Sequence, residues 1–322
     1  MKFEMEKTTT RAVFGSVMLE LARKDDRIMA VTGDGVNSMG LTEMFKEMPD
    51  RVLNTGIAEQ NAMNIAAGMA ATGLKPVIGG FAPFMTMRAG EQLRTFICYP
   101  NLNVKVAGAM AGLSASAEGV THQGLEDIGI LRTFPNMVIT VPADAAAADV
   151  ICRKVIGEHV GPAYIRLYKG AVYGVFDRNT YQFEIGRANW LRSEGTDATI
   201  ICNGPVVCRA LEAADALAEQ NVHVRVLEMP CVKPLDGEAV RRAALETGAV
   251  VTVEDHQINC GLGGAVAEYL GENCPTIMKR LGIRDVFTES GDHYALLDKY
   301  GMKTSDIADA VKEVMAKKGK RQ

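Results

Sequence analysis

The 322-residue chain is 48% hydrophobic and 23% charged, with a formal net charge of -4; this is the make-up of an ordinary soluble globular protein, with room for two domains that each bury a core. The charge gives no reason to expect nucleic acid or an anionic membrane surface as a partner, and no apolar run approaches the roughly 18–20 residues that span a bilayer. Seven cysteines, an odd number with no Cys-x-x-Cys pair, exclude a disulfide framework and a cysteine zinc site and suit a reducing cytosol.

Met1 to Lys7 mixes charges and lacks the apolar centre of a signal peptide, so a cytoplasmic protein is expected. From there helix and strand alternate, the pattern of a mainly parallel sheet covered on both faces. Thr8 to Arg23 reads as a helix capped by threonines, and Arg27 to Val31 as a buried strand ending at Thr32-Gly33-Asp34-Gly35. Arg51-Val52-Leu53-Asn54 is a strand that stops at Thr55-Gly56 and opens a helix over 58–72. Ile65, Met69 and Thr72 share one face of that helix, and Ala62, Ala66, Ala67 and Ala70 allow close packing. Pro76 to Phe81 is a strand that runs through Ala82-Pro83-Phe84 into a helix reaching about Tyr99. Asn103 to Ala107 is a strand, followed by a Gly/Ser/Ala loop from Gly108 to Gly119, a length that inside a compact domain is usually functional or mobile. Strands at 137–141 and 163–167 flank a helix over 145–156 with Asp144 as N-cap.

Periodicity then fades, and Tyr, Asp, Asn and Gly become prominent. This marks a linker over 176–190 between a first domain at 1–175 and a second at 191–322. The second alternation has strands at 198–202, 222–227 and 249–253, helices at 206–219, 237–247 and 263–271, and a last helix from Ser305 to Lys317. Lys317 to Gln322 reads as a frayed tail. The fold class is α/β: two domains, each a mainly parallel sheet flanked by helices.

Glu59 draws attention first, because a strand that stops at Gly and opens a helix places its first helical residue at the carboxyl edge of the sheet. Open α/β sheets bind ligands there. A lone Glu in a first turn would merely complement the helix dipole, but this helix is apolar on nearly every side, and a buried carboxyl is costly without a partner. Phe81 and Phe84, three apart, end a strand at the same kind of edge. His122, in Thr121-His122-Gln123-Gly124, follows the Gly-rich loop and precedes a helix. In the second half, Val253-Glu254-Asp255-His256 stands before Gly261-Leu262-Gly263-Gly264, a tight strand-to-helix turn whose default use is structural.

In order and spacing, five stretches together resemble the C-terminal half of a transketolase, over essentially the whole chain. They are Gly56-Ile57-Ala58-Glu59, Gly79-Gly80-Phe81-Ala82-Pro83-Phe84, Gly119-Val120-Thr121-His122-Gln123, Pro162-Ala163-Tyr164-Ile165-Arg166 and Val253-Glu254-Asp255-His256. The resemblance implies a pyrimidine-binding domain followed by the family's small C-terminal domain, as in split transketolases where this half is a separate subunit. It implies thiamine diphosphate as cofactor. Glu59 is similar to the glutamate that hydrogen-bonds N1′ of the aminopyrimidine and favours its imino tautomer, a general acid–base relay through the cofactor. Phe81 and Phe84 resemble the aromatics that stack on that ring. His122 resembles the histidine that bonds substrate oxygens at the reacting carbon, and Arg11, Ser38 and Arg166 resemble the holders of a sugar phosphate.

Gly33-Asp34-Gly35 resembles the start of the family's metal motif, but Asn54 begins the Glu59 turn instead of standing in register with it. Asp34 then corresponds to an acidic residue near the cofactor at the subunit interface. No metal ligand is expected in this chain, and Mg2+ (or Ca2+) would be held mainly by the partner, the diphosphate-binding subunit, in an α2β2 assembly. Two departures bear on the substrate: Glu118 stands where many transketolases carry Asp, and Met110 where they often carry a second phosphate-binding histidine. Sulfonated, branched or deoxy sugars are therefore open alternatives to the usual sugar phosphates. Rival readings are the β subunit of a 2-oxo-acid dehydrogenase E1, a deoxyxylulose-phosphate-synthase-like enzyme, and a non-catalytic binding subunit. Thr121-His122-Gln123-Gly124 argues against the first, and the joint presence of Glu59, Phe84, His122 and Arg166 against the last.

Overall fold

The computed structural model describes residues 2–319. The strands are β1 Ile28–Thr32, β2 Val52–Asn54, β3 Lys75–Phe81, β4 Lys105–Ala109, β5 Val138–Thr140, β6 Ala163–Arg166, β7 Asn189–Arg192, β8 Ala198–Cys202, β9 Val224–Glu228, β10 Cys231–Lys233, β11 Ala249–Gln257 and β12 Ile277–Ile283. The helices are α1 Thr10–Lys24, α2 Thr42–Glu47, α3 Glu59–Ala71, α4 Gly90–Gln92, α5 Asp127–Arg132, α6 Ala145–Cys152, α7 Val207–Ala218, α8 Gly237–Thr247, α9 Leu262–Asn273, α10 His293–Lys299 and α11 Thr304–Gly319. They build two sheets, ordered β10-β5-β6-β4-β3-β1-β2 and β12-β11-β8-β9-β7. All neighbours are parallel except β10 on β5 and β7 on β9. The mainly parallel α/β architecture expected from the alternation is what forms.

Each sheet has an apolar layer on both faces. In the first, Phe14, Val17 and Met18 of α1 pack on one side, and Ala62, Met63 and Ala66 of α3 on the other. The small side chains of α3 let its axis approach the sheet closely. α1 starts where Thr9 accepts a hydrogen bond from the Ala12 amide at 3.2 Å, and α6 starts at Asp144, which accepts from Ala147; both caps follow from short polar side chains at these positions.

Several elements differ from the sequence expectation. The stretch from Phe84 to Tyr99 is not one α-helix: π-helical segments, Phe84–Arg88 and Leu93–Cys98, flank the single turn of α4, and the Ala89 amide reaches back to the Phe84 carbonyl. Such segments recur where a side chain must be aimed at a site. β12 was not expected, because it is an edge strand carrying Lys279 and Arg280 whose first four residues are only half-buried. The second half also supplies β10 to the first sheet, where Cys231 pairs with Thr140, and Leu113 and Leu125 of the first half join the second core. α11 continues to Gly319, past the expected end at Lys317; the rest of the expected frayed tail lies outside the described residues. Among those residues no helix is long and apolar enough to cross a membrane.

Candidate active site

Strands β4, β3, β1 and β2 are neighbours, so the segments leaving their carboxyl ends meet at one edge of the sheet, where ligands bind in folds of this class. The turn after β1 carries Gly33-Asp34-Gly35, the turn after β2 leads into Glu59, β3 runs into Phe81 and Phe84, and the chain after β4 returns with His122. Together with Ser38 and Ile57 these residues line a cavity of about 180 Å³. The two turns are tied by Asn54, whose side-chain oxygen accepts from the Asp34 amide at 2.9 Å and the Gly56 amide at 3.0 Å. They approach so closely that a Cβ on Gly33 would stand 3.0 Å from the Gly56 carbonyl oxygen. Asp34 itself is exposed, with a φ of 60°.

Glu59 is the first residue of α3 and only 5% exposed. Its Oε2 accepts a hydrogen bond from Nη1 of Arg88 at 2.8 Å. The Phe81, Phe84 and His122 rings form a triangle, with centroids 5.8 Å apart for the phenylalanines and 5.6 and 5.2 Å from each to the imidazole. His122 Nδ1 lies 2.9 Å from the Thr121 hydroxyl. A buried carboxylate beside a small aromatic cluster suits a flat heterocycle that both stacks and hydrogen-bonds.

A second group lies beside it. Arg11 donates to the carbonyls of Ser38 and, at 2.6 Å, Lys169, while its Nε is buried with no partner among the described residues. Burial holds this guanidinium below its ordinary pKa, and the Glu118 carboxylate opposes that shift. Lys169 in turn pairs with Glu118. Burial pushes the Glu118 carboxyl up, but the Lys169 hydrogen bond, with the field of His122, leaves it below its usual value. Met110 is buried, with a φ of 56°.

Arg166 requires a correction. It was expected to grip a sugar phosphate, but it is 1% exposed. Its fork is consumed by the Asp127 carboxylate at 2.8 and 3.1 Å and by the carbonyls of Gly124 and Asp255 at 2.8 and 2.9 Å. Burial alone would raise the Asp127 carboxyl, yet the charge of the Arg166 guanidinium and the hydrogen bonds from Arg166 and Tyr164 hold it below its ordinary value. The physical reason is position: Arg166 is the last residue of β6, inside the sheet, whereas the ligand edge lies beyond the strand ends. Lys169, three residues on, lies past the strand end, where its ammonium pairs with Glu118.

The Gly-rich loop is also tighter than expected. Gly112 and Ala111 bridge to Gly124, and the Leu113 amide donates to the Asp255 carboxylate at 3.0 Å. Asp255 is held from the other side by Nε2 of His293 at 3.2 Å. Glu254 accepts the amides of Leu262 and Gly263 at 2.6 and 2.7 Å, capping α9, and His256 Nε2 accepts the Gly129 amide at 3.3 Å. Asp255 and His256 therefore clamp the second unit to the Gly-rich loop and to α5, while Glu254 holds the start of α9 within that unit. Sequence reasoning missed Arg88 and Lys169; it singled out the Glu-Asp-His run with a structural default, but did not foresee that the run joins the two units. The first two carried a signal in hindsight: each is a cation a few residues past a motif residue at a strand end. A larger cavity of about 580 Å³ beside Glu126 and Phe287 is lined by Gly129 and His256 but by none of the residues that line the smaller one. Among the described residues no cluster of three or more His, Cys, Asp or Glu could hold a metal ion.

The family described as the transketolase pyrimidine-binding domain matches residues 6–174, and the transketolase C-terminal domain matches residues 186–307. The chain is 39% identical over 318 residues to a 6-deoxy-6-sulfo-D-fructose transketolase subunit of Clostridium sp. (strain MSTE9), covering 99% of this chain and 98% of the relative. It is 39% identical over 307 residues to an apulose-4-phosphate transketolase subunit of Phocaeicola vulgatus, covering 95% and 97%. A solved structure described as a split gene transketolase, inactive beta4 tetramer, superposes with a TM-score of 0.88 at 41% identity, covering 96% of this chain and 98% of that one.

Proposed function

Because the chain belongs to the transketolase family, whose enzymes depend on thiamine diphosphate, we propose that it is the pyrimidine-binding subunit of a split transketolase, active with a partner subunit. The reaction is transfer of a two-carbon ketol unit from a ketose to an aldose. The observation that carries the proposal is the single cavity that brings Glu59, Phe81, Phe84 and His122 together at the sheet's carboxyl edge. A flat ring with a hydrogen-bonding nitrogen fits it: Glu59 would hold that nitrogen, and Phe81 and Phe84 would pack on the ring, with Asp34 at the cavity mouth. When bound, thiamine diphosphate supplies a nucleophilic carbon that protein side chains lack. His122, at the aromatic wall, would bond the substrate's oxygens, and Arg11, Ser38 and Lys169 would hold its far, anionic end, with Lys169 taking the part first expected of Arg166.

The partner reading rests on the relatives, both named as subunits, and on Ile57, an apolar residue that lines the cavity yet is 76% exposed. The partner would be the diphosphate-binding subunit holding Mg2+ or Ca2+, in an α2β2 assembly in the cytoplasm, where the chain's free thiols would stay reduced. Within this chain, 1–175 would serve the cofactor and 191–322 the clamp, with 176–190 between them. The substrate would be an anionic sugar, phosphorylated or sulfonated, because the far end of the site is cationic. The test is to reconstitute the chain with its partner and assay a panel of phosphorylated, sulfonated and neutral ketose donors. Ketol transfer from an anionic ketose supports the proposal; no transfer from any donor, with both subunits folded and assembled, refutes it.

A further inference from the structure

His122 sits in a turn from Gly119 to Gln123, where the amides of His122 and Gln123 both reach the Gly119 carbonyl, at 3.0 and 3.2 Å. Around the histidine, Ala117, Val120 and Thr121 are exposed, and the imidazole's hydrogen bond goes to Thr121, a neighbour that moves with it. Just upstream, Ser116 has a φ of 53° and a ψ of -105°. Such a conformation is strained for a residue with a side chain and persists only where the surroundings fix it. The second unit does so through its segment 288–291. The Thr288 hydroxyl donates to Oε1 of Gln123, and Gln123 Nε2 donates to the Glu289 carbonyl at 3.0 Å. Gly119 passes Ser290 so closely that a Cβ on it would stand 2.5 Å from the Ser290 hydroxyl oxygen. The Gly291 amide donates to the Ser116 carbonyl at 3.3 Å. The turn that carries His122 is thus pinned at both ends by the second unit.

We propose that Gln123 and Thr288 are positioning residues for His122, so that the second unit sets where the imidazole stands against the substrate. The inference rests on the reading that His122 bonds the substrate's oxygens. A group that faces a reacting carbon must be held to a fraction of an ångström, and a loop achieves this only when its support is locked. The supporting segment is locked in its turn. It runs into α10, which Asp292 caps by accepting the Tyr294 and Ala295 amides at 3.0 Å, and Leu296 and Leu297 of α10 belong to the second core. Gln123 and Thr288 are both buried, so water does not compete for the hydrogen bond between them, and breaking it would leave a buried amide oxygen short of a donor. None of the residues that line the cofactor cavity comes from the second unit. Through Gln123 that unit takes part in the reaction without touching the cofactor.

In the assembly of this chain with its diphosphate-binding subunit, kcat/KM is measured over the donor panel above, fructose 6-phosphate included, with glyceraldehyde 3-phosphate as acceptor. Thr288→Val keeps the β-branched shape and removes the hydroxyl donor. It should lower kcat/KM roughly tenfold, a small misplacement on a scale where about 1 Å costs 10²-fold. Thr288→Ser keeps the hydroxyl and should restore most of the rate. The deciding readout is the double variant: once His122→Ala has removed the imidazole, adding Thr288→Val should cost nothing further, because two residues acting through one contact are not additive. Thiamine diphosphate binding, measured by calorimetry, should be the same in Thr288→Val and the wild type. A wild-type rate in Thr288→Val, an equal loss with and without the imidazole, or weakened cofactor binding would overturn the proposal. Failure of Thr288→Val to assemble would overturn it as well, by showing that the contact serves the fold alone. Absence of turnover in the wild-type assembly with every donor, or a wild-type rate in His122→Ala, would instead refute the reading of His122 on which the inference rests.

Discussion

A carboxylate that is 5% exposed at the start of a helix is favoured by the helix N-terminus and by the Arg88 hydrogen bond, so its burial is tolerated without distorting α3. Glu59→Gln keeps the size and a hydrogen bond to Arg88 but cannot exchange a proton. With the fold unchanged by circular dichroism, turnover of the assembled enzyme should fall roughly 10²-fold or more. Near-wild-type exchange of the cofactor's C2 proton in this variant would remove Glu59 from the chemistry. The two cations of the β6 region separate structure from binding. Arg166→Met leaves Asp127 buried without its counter-charge and should cost about 3–5 kcal/mol of stability, read as a lower urea midpoint. Lys169→Ala should leave that midpoint nearly unchanged and raise KM for anionic sugars roughly tenfold, the scale of one lost charge-assisted contact, with little effect on neutral ones. The reverse pattern would restore Arg166 to the substrate site.

At the scale of elements, the end of β9 carries a carboxyl with an unusual titration. Glu228 is fully buried, and although Tyr181 and Asn189 bond it at 3.1 and 2.9 Å, desolvation dominates and pushes it up to about 8. Unfolded, it ionises near its ordinary value of 4.5. Between those values the folded state binds more protons, so its contribution to stability is full below about 4.5 and is lost as pH rises through 8. Glu6, half-buried against the Ala145 amide, moves the same way, to about 7. Lys105, on β4, is lowered by burial to about 7; its contribution is full above its ordinary 10.5 and is lost as pH falls through 7. The signs oppose each other between about 7 and 8, so the contribution of these groups to stability should fall from roughly pH 5 to 7, level to about 8 and rise above it. Glu228→Gln, which can still bond Tyr181 and Asn189, should reduce that fall by on the order of 2 kcal/mol. An unaltered profile from urea titrations at each pH would mean that Glu228 is ionised in the fold.

For the whole molecule, the two sheets are interlocked by β10, by Leu113 and Leu125 in the second core, and by the Arg166 and Asp255 contacts. The cavity nevertheless opens beside Ile57, which lines it and is 76% exposed. A pyrimidine ring alone would gain one hydrogen-bonded carboxyl and some stacking, about 2–4 kcal/mol before association costs, which is millimolar affinity at best. The isolated chain should therefore show no micromolar binding of thiamine diphosphate by calorimetry, and its apolar surface at Ile57 should make it sediment as more than a monomer. Micromolar binding by this chain alone would show that the site is complete without a partner.

The alternation of helix and strand, the α/β class and the strand-to-helix turn at Gly56–Glu59 were legible in the sequence because they rest on local signals: apolar period, turn glycines and caps. The placement of Glu59, Phe81 and Phe84 at strand ends was legible for the same reason, since strand ends share one edge in a parallel sheet, whereas His122 was read only as following the Gly-rich loop and preceding a helix. Tertiary structure decided the rest. A three-residue strand such as β10 has no period of its own, and its partner at Thr140 is about ninety residues away. Whether a cation faces ligand or core depends on which residues enclose it. Arg166 lies at a strand end within the core, beside the Asp127 carboxylate and the Asp255 carbonyl, whereas Lys169 stands past it. Likewise nothing in the letters Glu-Asp-His tells a catalytic cluster from a clamp; that was settled by the Leu113 and Gly129 amides folding onto them from more than a hundred residues away, because a buried acceptor is defined by the donors the fold brings to it.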